Sequence, residues 1–314
     1  MSASADRPHA RAASAGRAEA AAITTRGAWL LAARPRTLPA ALAPIAVGTA
    51  TAAAAGRARP GLALAALGTA VALQIAANLA NDVFDFERGA DAGERHGPPR
   101  AAQCGLLAPA ALKRGLAGAL AGAALLGLVL VFAGGWPILV AGALSLLAAW
   151  AYTGGPWPLA YHGLGDLAVF LFFGIVGVIG AHFVQAGGVS TLALAAAIPV
   201  GALCTAILAV NNLRDRLGDA RVGKRTLAVR LGDGPTRVYY ALLLGVAFAT
   251  PLVCVALGLG DAWLLLPLVL LPEAGALLRR VLEGERGGAL NAVLARTARL
   301  AAAFGLLFAV GIAA

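Results

Sequence analysis

Charge is scarce in this chain and cysteine scarcer. Only 13% of the 314 residues are Asp, Glu, Lys or Arg, about half the share of an ordinary soluble domain. With 60% hydrophobic residues and a mean hydropathy of +0.81, that deficit excludes a soluble globular protein. Cys104, Cys204 and Cys254 form no close pair and no metal-ligand spacing, which excludes a disulfide framework and a zinc site. Residues 1–27, rich in Ala, Arg and Ser, lack the continuous apolar core of a signal peptide. They read as a disordered cytoplasmic tail, although a transit peptide has a similar composition.

What the chain has in abundance is apolar runs long enough to cross a hydrocarbon core of roughly 30 Å. They lie near 38–55, 62–80, 115–133, 136–151, 167–186, 190–210, 238–258, 262–278 and 298–314. The expectation is an all-α polytopic membrane protein with nine transmembrane helices, a single domain over 28–314. Gly and Pro inside the runs are tolerated in a membrane, and small residues let helices approach closely.

The net charge of +10 is explained by topology. Alternating the segments across nine spans puts every Lys and Arg except Arg57 and Arg59 on one side, and the positive-inside rule makes that side cytoplasmic. The N-terminus is then cytoplasmic, the C-terminus lies outside, and no role in nucleic-acid binding is expected.

The few acids gather at two run ends. Asn78, Asn81, Asp82, Asp85 and Asp91 close the second run; Asn211, Asn212, Asp215 and Asp219 close the sixth. Asn78, Asp82 and Asp85 share one helical face at i, i+4, i+7, and Asn211, Asp215 and Asp219 do the same at i, i+4, i+8. Carboxylates at helix C-termini repel each other and face the negative end of the macrodipole, so a cation must compensate them. Mg²⁺ does so with oxygen ligands, sharing its shell between one or two carboxylates and substrate phosphate. Two facing clusters would grip a diphosphate. The alternative pairs these acids with Arg88, Arg95, Arg214 and Arg221 in interfacial salt bridges. Gly97-Pro98-Pro99-Arg100 with Gln103, and Gly223-Lys224-Arg225-Thr226, read as anion-facing loops.

Residues 78–91 resemble the first aspartate-rich motif of the UbiA superfamily of intramembrane prenyltransferases, and Asp215 to Asp219 the second. Ala33-Arg34-Pro35-Arg36-Thr37-Leu38-Pro39, Tyr152-Thr153-Gly154-Gly155-Pro156 with Tyr161, Gly165 and Asp166, and 223–232 are similar to the branch that prenylates 1,4-dihydroxy-2-naphthoate in menaquinone synthesis. Ubiquinone-type members place the third acid closer to the second than Asp91 stands to Asp85. Cys104 replaces an expected small hydroxyl residue, and Leu217-Gly218 a more polar pair.

The resemblance implies a UbiA-type bundle around a central cavity, in the cell's inner membrane, with its active site at the cytoplasmic face. It implies Mg²⁺ held by Asp82, Asp85, Asp215 and Asp219 with Asn78 and Asn211, and diphosphate met by Lys224, Arg225, Arg100, Asp91 and Asn81. The substrates implied are a polyprenyl diphosphate, its tail continuous with the bilayer, and 1,4-dihydroxy-2-naphthoate. Arg36 is the candidate for the acceptor carboxylate, Asn78 for a hydroxyl, and Tyr152 and Tyr161 for the ring, though interfacial anchoring explains both tyrosines as well. Asp166 reads either as a loop cap or as part of the site. Competing readings are another aromatic acceptor (4-hydroxybenzoate or homogentisate), a CDP-alcohol phosphatidyltransferase and a cation transporter. The phosphatidyltransferase acid series is missing, and a transporter would carry its acids nearer mid-membrane.

Overall fold

The computed structural model describes residues 23–90 and 97–314, except the side chain of Arg36. Most of the expected tail, together with Asp91, Arg95 and His96, therefore lies outside the described residues. The described chain is helical: α1 (Thr25–Ala33), α2 (Pro39–Ala54), α3 (Pro60–Glu87), α4 (Pro109–Gly134), α5 (Trp136–Ala151), α6 (Gly165–Ala186), α7 (Thr191–Arg221), α8 (Leu227–Leu231), α9 (Asp233–Ala256), α10 (Ala262–Leu282) and α11 (Leu290–Ala313). α1 begins inside the segment read as tail, because the Thr24 side chain accepts a hydrogen bond from Gly27 N (3.2 Å) and caps it.

Proline starts α2, α3 and α4, where its missing N–H costs no bond. Between α4 and α5 the chain reverses on Gly135 alone, at φ 69°, a conformation that favours glycine. Each of the nine apolar runs is helical. Among the described residues seven helices, with α2 and α5 not among them, are long and apolar enough to cross a membrane. α2 and α5 have 16 residues each, about 24 Å at 1.5 Å per residue, short of the roughly 30 Å core.

α7 is the hub. It packs against α2, α6, α9 and α11, and small residues (Ala196, Ala197, Gly201, Ala202, Ala206) fill its buried length. A second core joins α1, α3, α4 and residues 101–107. Between these cores runs α6, whose middle, Phe170–Ile179, is wound as a π-helix, a form that concentrates at functional sites. The connections following α3, α5, α7 and α10 meet at one end of the bundle, and there they build the site.

Candidate active site

Asp85 is the centre of that end. Its side chain is 1% exposed, and a buried carboxylate needs close partners to remain ionised. It has three, from three connections: Arg100 Nη1 at 2.8 Å and Lys224 Nζ at 3.0 Å on Oδ2, and the Tyr161 hydroxyl donating to Oδ1 at 2.9 Å. Both Arg88 and Lys224 stand over the Tyr161 ring, 5.2 Å from its centroid. Arg88 also donates to the carbonyls of Thr153 and Gly155, tying the end of α3 to the loop that presents Tyr161. Burial and Asp85 raise the Tyr161 pKa, so this hydroxyl stays a donor.

Asp82, also 1% exposed, accepts from the backbone N–H groups of Ala101 (3.1 Å) and Ala102 (3.2 Å). It therefore holds the loop that carries Arg100, whose Nη1 also reaches the Asn81 carbonyl at 2.9 Å. Asn78 donates to the Ala33 carbonyl and to Thr37 Oγ1, both at 2.9 Å. That turn contains Arg34 at φ 51°, a left-handed conformation costing roughly 1–2 kcal/mol outside glycine, and Arg36 sits within it. Asn78 is thus a staple for the Arg36 turn.

In the second motif, Arg214 faces Asp215. Its guanidinium takes both oxygens (2.8 and 2.5 Å) and also reaches Asn211 Oδ1 (2.8 Å) and Asn291 Oδ1 on α11 (2.9 Å). Asp219 is close enough to Asp85, Asp215, Lys224 and Arg100 to interact with their charges, which brings the ends of α3 and α7 near each other. Arg225 is exposed and offers its backbone N–H to the Tyr161 carbonyl.

Among the described residues no three His, Cys, Asp or Glu side chains are grouped to hold a metal. The donor set is nonetheless carboxylate oxygens beside Lys and Arg, which fits Mg²⁺ shared with a diphosphate better than a protein-only cage. The interfacial salt-bridge alternative is realised for Arg214, whereas Arg88 binds carbonyls and stacks on Tyr161.

Below this polar end lie two apolar cavities of about 120 and 250 Å³. Ile45, Ala70, Leu73, Ser145, Phe172 and Gly177 line both, so they form one path between α2, α3, α5 and α6. Tyr152 and Gln74 line its end nearest the acids. Gln74 donates to Thr37 Oγ1 and Asn78 Oδ1. Burial first, then Asp166, Asp85 and Asp219, raise the Tyr152 pKa, so its hydroxyl stays protonated.

Sequence reasoning named Arg88 and Arg214 only as interfacial salt-bridge partners and missed Gln74 altogether. Helical spacing does carry a signal: Arg88 follows Asp85 by three residues, Arg214 follows Asn211 by three, and Gln74 precedes Asn78 by four.

The chain matches the model of the UbiA prenyltransferase family over residues 41–300. It is 44% identical over 269 residues to a Mycobacterium tuberculosis protein named 1,4-dihydroxy-2-naphthoate octaprenyltransferase, covering 86% of this chain and 91% of that one. It is 40% identical over 303 residues to the Escherichia coli protein of the same name, covering 92% and 96%. A UbiA homologue from Archaeoglobus fulgidus, solved bound to DMAPP and Mg²⁺, shares the fold with a TM-score of 0.62 at 13% identity, over 91% of this chain and 99% of that one.

Proposed function

Because this chain belongs to the UbiA prenyltransferase family, we propose that it transfers a polyprenyl group from polyprenyl diphosphate to 1,4-dihydroxy-2-naphthoate. Diphosphate and carbon dioxide leave, and the product is the reduced, dihydroxy form of demethylmenaquinone, an intermediate of menaquinone synthesis. The acceptor follows from the naphthoate prenyltransferase names of relatives at 40–44% identity. The observation that carries the chemistry is the Asp85–Arg100–Lys224–Tyr161 knot in a bundle whose apolar path is lined by Tyr152 at one end.

Each part has a task. Asp85 and Asp219 are the carboxylates best placed to share Mg²⁺ with diphosphate, Asp215 backs them through its network with Asn211, and Asp82 fixes the loop bearing Arg100. Bound Mg²⁺ would polarise the diphosphate as a Lewis acid. Arg100, Lys224 and the exposed Arg225 neutralise the charge that develops on the leaving oxygens. Arg36, in the turn stapled by Asn78, takes the acceptor carboxylate; Tyr152 and Tyr161 bound the ring. The apolar path holds the proximal prenyl units and keeps water from the allylic cation. α2 and α5 complete nine crossings within a tilted or locally thinned bilayer, with the site on the cytoplasmic face of the cell membrane.

Purified protein, Mg²⁺ and one polyprenyl diphosphate, offered naphthoate, 4-hydroxybenzoate and homogentisate in turn, should prenylate the naphthoate alone. Mass analysis of the lipid product reads acceptor and chain length together. Prenylation of another acceptor in preference would overturn the assignment.

A further inference from the structure

Transfer to an aromatic ring needs a group that takes the acceptor's hydroxyl proton, and most polar side chains at this end are already committed as donors or ion pairs. The Tyr161 hydroxyl donates to Asp85, Asp85 pairs with Arg100 and Lys224, Asp82 holds two backbone N–H groups and Asp215 holds Arg214. His162 is stacked on Trp157 with Nδ1 against the Pro158 carbonyl. Asp166 differs: it is 4% exposed, and among the described residues its Oδ2 is buried with no hydrogen-bond partner. So is the hydroxyl of Thr153, which is 0% exposed, in the loop before it.

Position makes that oxygen useful. Val169 follows Asp166 at i+3 within the α-helical start of α6, so the two share a helical face, and Val169 lines the apolar path. The Tyr152 hydroxyl packs on Gly165, where a Cβ would come within 3.0 Å of it, and Tyr152 lines the same path. The ionisable groups interacting electrostatically with Asp166 are Tyr152 and, from α9, Tyr239. Neither is a cation, so among the described residues no ion pair neutralises this carboxylate as Arg214 does Asp215.

We propose that Asp166 is the proton acceptor for the hydroxyl of the aromatic acceptor, with the Tyr152 hydroxyl orienting that group; this rests on the prenyl-transfer reading above. In the step, a ring carbon bonds to the allylic carbon while the allylic C–O bond breaks and its electron pair leaves with diphosphate. The hydroxyl proton passes to Asp166 Oδ2, and the electron pair of its O–H bond becomes the second bond of a ring carbonyl.

Asp166→Asn tests this, because asparagine keeps the size and shape of aspartate but takes no proton. Turnover should fall at least about 100-fold, in the range general-base removal produces. KM for prenyl diphosphate and the thermal midpoint should be unchanged, and the deficit should shrink as pH rises through the naphthol's own pKa, where the acceptor arrives ionised. Asp166→Glu should restore part of the rate. An Asp166→Asn enzyme within about threefold of wild type, or one equally impaired at every pH, overturns the proton-acceptor role while leaving prenyl transfer intact. Wild-type protein that prenylates no aromatic acceptor removes the function on which the role depends.

Discussion

Arg214 turns the second acidic motif into a buried clamp. Its side chain is 3% exposed and Asp215's 20%, and the guanidinium joins Asp215, Asn211 and Asn291 across α7 and α11. Removing it would take a charged donor from three acceptors at once. Arg214→Met should therefore destabilise the protein by about 3 kcal/mol, the low end for breaking a buried ion pair because Asp215 is partly exposed. Thermal unfolding in detergent would show a midpoint lower by several degrees; an unchanged midpoint would mean that the pair does not hold α7 to α11. The four acids were legible as a set because they share helical faces. Which cation each one meets was not, since Asp85 draws its partners from 15, 76 and 139 residues away.

At the scale of elements, the bundle depends on glycine where helices touch. A Cβ at Gly305 of α11 would lie 2.5 Å from the Ala43 Cβ of α2, and these helices contact each other along much of their length. Gly305→Val should cost about 1–3 kcal/mol through overpacking. Ala43→Gly in the same protein should recover part of the loss, as coupled neighbours do; a pair that behaves additively would disprove the contact. The runs predicted every long helix because hydrophobicity of sufficient length is a local signal. The π-helical turn at 170–179 was invisible, since it arises where α6 must fit both the apolar path and α7, with a Gly174 Cβ only 2.8 Å from the Ala197 carbonyl and the Gly201 Cα.

For the whole molecule, the placement of charge makes a statement about sidedness that cysteine chemistry can read. Cys104 is exposed in the loop beside Arg100, whereas Cys204 and Cys254 are buried. Arg57 and Arg59 lie in the exposed connection from α2 to α3, away from the site. A membrane-impermeant maleimide should label Cys104 only in inside-out vesicles, and Arg57→Cys in a Cys104→Ser background only in right-side-out ones. The reverse pattern would invert the topology and put the site outside.

Residence in a membrane, the position of the helices and the two acidic helix ends follow from the sequence by itself, because each depends on composition or spacing within a few turns. The tertiary structure alone decided that three separate connections close on Asp85, that Asp82 and Asn78 hold turns, and that an apolar path ends at Tyr152, whose hydroxyl packs on Gly165 next to the buried Asp166. Those contacts join residues far apart in the chain, and no local period encodes the distance between helices that meet only when the bundle packs.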